Sequence, residues 1–321
     1  MKHGWADILV SGSLAYDEVY LYKGEIRDHL PPSRDDALYI NLRAHGPIHR
    51  FGGCGGNTAY TLSLFGVRTA LSSWLGEDGD RYISYLCDLG IDISHVLLLK
   101  DRATPTGALM VDRRGDHMLF FGDSGSTLGL PLPDMNGISL AVITAGVPEN
   151  MLALLRHCRK ASVPAIVDPG KIIMDVDVQR LLRSIEGADT LIINQYERDL
   201  LARQSGIPFT RIAASVGTAV VTSGSDDITL VSGGHLTSFH TAKPDEVRDA
   251  SGAGDAFLAG FSFGRLKGFT AEQCVAVAAT SASFAIETTG TQQHSFTLDQ
   301  FQQRLETSFG KQNFDFSIKN L

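Results

Sequence analysis

The sequence predicts an α/β protein built on a doubly wound, mostly parallel sheet flanked by helices, with a small β-strand lid. Three observations carry that prediction. Short apolar runs recur along the chain, amphipathic segments with leucines at helical spacing lie between them, and the runs end in turn residues. At 321 residues and 43% hydrophobic content, the chain has ample apolar side chain for such a core.

The strands come first. "DILVSG" (7–12), "TALSSWLG" (69–76), "LAVITAG" (140–146), "PAIVDPG" (164–170), "TLIINQ" (190–195) and "AVVTSG" (219–224) lack polar alternation, as expected of strands covered on both faces. "NMLALLRHCRKA" (150–161), "VDVQRLLRSIEGA" (176–188) and "YERDLLARQSG" (196–206) each pair a leucine stripe with a charged face and read as covering helices. In "FGGCGGNTAYTLSLFG" (51–66), four glycines and an asparagine precede a helical pattern of Ala59, Leu62, Leu64 and Phe65. Two segments break the rhythm. Residues 15–51 carry a Pro pair, mixed charge and alternating apolar positions, and 104–123 read as two strands joined by a turn at "DRRGD". They predict a small antiparallel lid from segments 17–51 and 104–123, over a core of 1–16, 52–103 and 124–321.

Composition removes several classes of function. The net charge of −8 comes without a basic run, so nucleic acid is not an expected partner. Cys54, Cys87, Cys158 and Cys274 are far apart and form no CxxC pair, which fits free thiols in a reducing compartment. With no signal-peptide pattern and no apolar stretch of membrane-spanning length, the expected setting is the cytoplasm, away from membranes. No GxxxxGK[ST] loop occurs, and no GxGxxG follows a strand. His45 and His49 are four apart, but Gly46 and Pro47 break any helix between them, so they read as a solvated loop.

Polar residues at predicted strand ends are the chemical candidates, because ligands of such sheets collect there: Asp168, Asn194, and Thr222 with Gly224. In "DASGAGDAF" (249–257), Gly252, Ala253 and Gly254 turn the chain so that their amides aim outward at the start of a helix, an arrangement suited to an anion. Asp255 at that helix start is either a proton acceptor for a hydroxyl or an ordinary first-turn cap. In "NQYE", Asn194 and Glu197 stand three apart at a strand-to-helix junction. They can hold waters around Mg²⁺ or form a capping pair, and both readings stay open.

The order "GGCGGNTAYTLSLFG", "GEDGDRYISYLCDLGID", "NQYE", "DASGAGDAFLAGF" resembles the ribokinase-like, or PfkB-type, family of carbohydrate and nucleoside kinases, over nearly the whole chain from "SGSLAYD" to "ETTGTQ". The resemblance implies a ribokinase-like fold. It also implies that Asp255 is the general base, that Gly252, Ala253 and Gly254 form the anion hole, and that Asn194 and Glu197 organise Mg²⁺ and ATP. Thr222 and Gly224 are then expected near the nucleotide phosphates, and Asp249 beside a monovalent cation such as K⁺. Two positions depart from the family: Ser251 stands where threonine is more frequent, and Ser225 where many members carry lysine.

"GSLAYDEVY", "HRFGGCGGN", "NQYERDLL" and "ETTGTQ" look most like bacterial adenosine-kinase-like members. That branch implies Asp17 gripping two ribose hydroxyls, Gly53 and Asn57 on the other side of the sugar, and Asn41 approaching from the lid. Either Phe120 or Phe121 is expected to face a base, since adjacent strand residues point to opposite faces. After Asp168, "DPGKII" replaces the polar amides frequent in this branch. The expected activity is ATP-dependent 5′-phosphorylation of adenosine, with a free-sugar kinase as the alternative. The lid strands are also expected to offer edges for a homodimer.

Overall fold

A computed structural model describes residues 6–30, 40–114, 116–122, 129–174, 176–311, 314 and 318. In chain order its strands are β1 (Ile8–Ser11), β2 (Ala15–Leu21), β3 (His45–Gly52), β4 (Thr69–Leu75), β5 (Asp92–Leu98), β6 (Thr106–Val111), β7 (His117–Phe121), β8 (Leu140–Ile143), β9 (Ala165–Val167), β10 (Thr190–Asn194), β11 (Thr218–Thr222), β12 (Ile228–Ser232) and β13 (His235–Phe239). The helices are α1 (Cys54–Leu64), α2 (Asp80–Asp88), α3 (Pro148–Ala161), α4 (Val178–Ile185), α5 (Gln195–Ser205), α6 (Phe209–Ala213), α7 (Ala253–Leu266), α8 (Ala271–Ala285) and α9 (Leu298–Phe309).

Nine strands form one sheet in the order β13-β12-β11-β10-β9-β8-β1-β4-β5, parallel from β11 to β5. All six predicted strands lie in it. Successive strand residues feed opposite layers: Ile8, Val10 and Val142 pack with α1, α7 and α8, whereas Leu9, Ala141 and Ile143 pack with α3, α4 and α5. Each such buried aliphatic side chain contributes roughly 1.5–3 kcal/mol. The antiparallel pair β12–β13 was not anticipated, although Gly233 and Gly234, with φ of 57° and 80°, are the turn that such a hairpin requires. Strand order reverses between β1 and β8, opening a crevice at their carboxyl ends.

The second sheet has the order β3-β2-β6-β7, and here the expectation of an antiparallel lid is corrected. β2 and β6 pair in parallel. They follow β1 and β5, which run the same way in the core, so both chains leave in one direction. The "DRRGD" turn is also more than a turn. Buried Asp112 accepts the amides of Ile26, Arg114 and Asp116 at 2.8, 2.8 and 3.0 Å, while Arg113 and Arg114 pair with Glu25, tying the hairpin to the 25–29 segment. No helix among the described residues is long and apolar enough to cross a membrane.

Candidate active site

Pairing register puts Arg50, Asp17, Gly107 and Phe121 in one row across the second sheet, so the side chains of Arg50, Asp17 and Phe121 share a face. Phe120 belongs to the neighbouring row and faces away from Asp17. Glycines on both neighbouring strands leave the room that the Asp17 carboxylate occupies. A Cβ on Gly52 would lie 2.2 Å from Asp17 Oδ2, and one on Gly107 would lie 3.0 Å from Oδ1. The single Thr291 hydroxyl proton is shared between Phe51 O at 2.7 Å and Asp17 Oδ2 at 3.1 Å. Burial pushes the Asp17 carboxyl up to about 6, the Thr291 bond opposes the rise, and the charge of Asp249 adds to it. Asn41, by contrast, stays exposed in the segment leading into β3 and takes no part in this network.

Two helix starts face the crevice, and they are not alike. At α1, Cys54 N donates to Ser13 Oγ at 3.0 Å, and Gly55 N and Gly56 N donate to Ser13 O at 3.0 and 3.3 Å. Those amides are therefore spent within the fold and are not open to a ligand. What α1 offers instead is Asn57, whose Nδ2 donates to Asp255 Oδ2 at 2.7 Å. At α7, Gly252 is the N-cap in the left-handed region (φ 76°), and a Cβ on Gly254 would meet open space. Ala253 N is turned back onto Ala250 O at 3.2 Å, so the predicted trio of amides reduces to those of Gly252 and Gly254.

Asp255 is 9% exposed in the first turn of α7. Burial raises its carboxyl to about 6; hydrogen bonds from Asn57 and Cys54 oppose the rise and the charge of Asp17 adds to it. Burial therefore outweighs these two bonds, yet a carboxyl at about 6 is still mostly ionised near neutral pH.

At the far side of the crevice, Asn194 and Glu197 form a reciprocal capping box, with both bonds at 2.9 Å. The capping reading is thus realised, and it uses Asn194 Oδ1 and Glu197 Oε2. Asp168, just past β9, is raised well above its ordinary value by burial, then by the charges of Glu197 and Asp255. Thr222 lies opposite Asn194 in the β10–β11 register, and Gly224 follows with φ 65°. Asp249 braces two loops, its Oδ1 accepting Ser251 N at 2.9 Å and its Oδ2 accepting Gly290 N at 2.8 Å. Among the described residues, no group of three or more His, Cys, Asp or Glu side chains converges to hold a metal ion alone.

The profile of the pfkB family carbohydrate kinases matches residues 24–297. The chain belongs to that family. It is accordingly a phosphotransferase with an alcohol acceptor. A nucleoside kinase of Methanocaldococcus jannaschii is 28% identical to this kinase over 260 residues, covering 80% of this chain and 85% of that protein. The structure of Burkholderia thailandensis nucleoside kinase in complex with inosine superposes with a TM-score of 0.82 at 27% identity, covering 94% of this chain and 98% of that one. Arabidopsis thaliana ribokinase complexed with ribose and ATP shares the fold, with a TM-score of 0.76 at 21% identity over 94% of this kinase and 99% of that chain.

Three side chains of this kinase at the crevice escaped the sequence reading. Thr291 and Gln292 close the "ETTGTQ" segment, and their side chains reach Asp17 and Asn57. Lys171, in "DPGKII", places Nζ 4.4 Å from the Phe121 ring centroid, joining the turn after β9 to the second sheet. The signal for Thr291 and Gln292 is a polar pair in the loop after the apolar helix α8, but the partners of such a pair lie more than 200 residues away.

Proposed function

We propose that this kinase transfers the γ-phosphoryl group of ATP to the 5′-hydroxyl of a purine nucleoside, adenosine foremost. The observation that carries this reading is the face shared by Asp17 and Phe121, set near Asp255 and the open start of α7. A carboxylate held between two glycines suits the paired 2′ and 3′ hydroxyls of ribose, and an aromatic face in the same row suits the base. Gly53 and Asn57 border the sugar from the α1 side. Asp255 then accepts the 5′-hydroxyl proton as the oxygen attacks in line, and the amides of Gly252 and Gly254 receive the equatorial oxygens of the transferring group. Asp168, whose carboxyl is raised well above its ordinary value by burial and by the charges of Glu197 and Asp255, is proposed to contact the acceptor.

ATP is proposed to lie along Asn194, Thr222 and Gly224. The crowding of Asp168 and Glu197 without a matching number of cations fits Mg²⁺ held through water and the ATP phosphates, with Asn194 and Glu197 nearest. When bound, Mg²⁺ neutralises charge on the phosphates. For a monovalent cation such as K⁺, Asp249 is the proposed ligand: each of its oxygens accepts one amide and keeps a second lone pair. Segments 17–51 and 104–123, of which residues 31–39, 115 and 123 lie outside the described residues, are proposed as a lid that excludes water during transfer. The edges of that sheet, β3 and β7, are the proposed dimer surface.

One observation favours the free-sugar reading. Lys171 lies over the ring of Phe121, the aromatic group that would otherwise stack on a base. ADP release across adenosine, inosine, guanosine, cytidine, ribose and fructose, by wild type and Phe121→Ala, separates the two. The nucleoside reading expects turnover of nucleosides and a rise in their KM of about tenfold on Phe121→Ala. Turnover confined to free sugars overturns it.

A further inference from the structure

Gln292 is buried, 3% exposed, in the loop between α8 and α9, and its hydrogen bonds form a directed chain. Its Nε2 donates to Asn57 Oδ1 at 2.9 Å and to Tyr82 OH at 2.7 Å. The Tyr82 hydroxyl spends its own proton on Gly52 O at 2.7 Å, so it can only accept from Gln292. The amino end of Gln292 is thereby fixed toward Asn57. Asn57 must answer with Oδ1, which leaves Nδ2 pointing at Asp255, 2.7 Å away. Rotating the Asn57 amide would set its oxygen against the Asp255 carboxylate and its amino group against that of Gln292. Gly56 makes the arrangement sterically attainable, because a Cβ there would fall 2.1 Å from Tyr82 OH and 3.1 Å from Gln292 Nε2. Among the described residues Gln292 Oε1 finds no partner, so this side chain only donates.

We infer that Gln292 is a positioning residue for phosphoryl transfer, acting through Asn57 to keep a hydrogen-bond donor aimed at Asp255. The inference rests on the proposed role of Asp255 as base. Gln292 bonds neither Asp17 nor Asp255 directly; it sets the direction of one amide. The groups that face Asp255 are Asp17 from β2, Cys54 and Asn57 from α1, and Asp168 after β9. Glu197 acts in turn on Asp168, and Lys171 on Cys54 and Glu197. Of these, Asn57 is the neutral group whose orientation decides whether it supports or opposes the ionised base.

The test measures kcat and KM between about pH 5 and 9 for wild type, Gln292→Met and Gln292→Glu, with unfolding temperatures alongside. Gln292→Met keeps the length and removes both donors. Its kcat is expected to fall about 10- to 100-fold, less than the loss from removing a direct transition-state donor, with the acceptor KM within about threefold. Its acid limb is expected to move to higher pH, because the ionised base loses the donor that favours it. Gln292→Glu keeps the shape but offers Asn57 only oxygens when ionised, so kcat falls further; it carries the same readout should the methionine variant fail to fold. A folded variant with a lowered unfolding temperature but wild-type kcat and acid limb overturns the inference, since that is what a purely structural glutamine would give. Asp255→Asn, assayed in parallel, tests the base itself: activity retained there overturns the underlying reading, whereas activity lost there with unmoved Gln292 profiles overturns this inference alone.

Discussion

Replacing Asp255 by asparagine should separate activity from stability in opposite directions. The carboxyl is buried, 9% exposed, and raised from 3.8 to about 6, chiefly by that burial. At about 1.4 kcal/mol per pH unit, a rise of roughly two units makes the ionised group up to about 3 kcal/mol less favourable in the fold than in the unfolded chain. Below about pH 4 the group is protonated in both states, and its raised value then favours the fold fully. That contribution is lost as pH rises through about 6, so wild type bears the whole cost of the buried charge near pH 8. Asparagine is neutral and nearly the same shape, and its Oδ1 can still accept from Asn57 Nδ2. Asp255→Asn should therefore gain up to about 3 kcal/mol near pH 8, with the gain shrinking toward pH 4, while kcat falls roughly 10²- to 10⁴-fold. Urea unfolding at about pH 8, 6 and 4, beside ADP release, measures both. Wild-type kcat, or a stability change that does not vary with pH, would refute the reasoning.

Thr291→Val removes the donor that holds the Asp17 carboxyl down against burial, so Asp17 should titrate above its present value of about 6. Acceptor KM should rise about tenfold near pH 6 and recover toward wild type near pH 8, where Asp17 is ionised regardless; a KM change equal at both pH values would count against it. Gly107→Val suits a strand but places a Cβ 3.0 Å from Asp17 Oδ1 and 3.4 Å from Phe121 Cε1. The variant should fold with an unfolding temperature close to wild type and lose at least about tenfold in acceptor affinity by calorimetry. Unchanged affinity would mean that the slot around Asp17 is not where the acceptor binds.

Much of the fold was legible because it rests on local pattern. Each apolar run from "DILVSG" to "AVVTSG" became a strand of the nine-stranded sheet, and "DASGAGDAF" became a glycine turn feeding a helix. The direction of β2 against β6 was not legible. A strand's own residues carry no record of whether its neighbour arrives by a hairpin or through the core. The fate of the α1 amides was equally hidden, since their acceptor, Ser13, lies about 41 residues upstream. The same glycine-rich text therefore supports an open anion site or a closed cap, and here it is closed at α1 and open at α7.

The sequence by itself determined the alternation of strand and helix, the position of the polar residues at strand ends, and the order of motifs that marks a PfkB kinase. These depend on periodicity and on residues close together in the chain. Only the tertiary structure decided which of Phe120 and Phe121 shares a face with Asp17, which amides at α7 stay open, and that Thr291 reaches Asp17 while Gln292 reaches Asn57. Pairing register, burial and the direction of a hydrogen bond are properties of segments brought together across the fold. Asp17 and Asp255 are both raised to about 6 because packing removes their water, and no local spacing encodes how much water a side chain will lose.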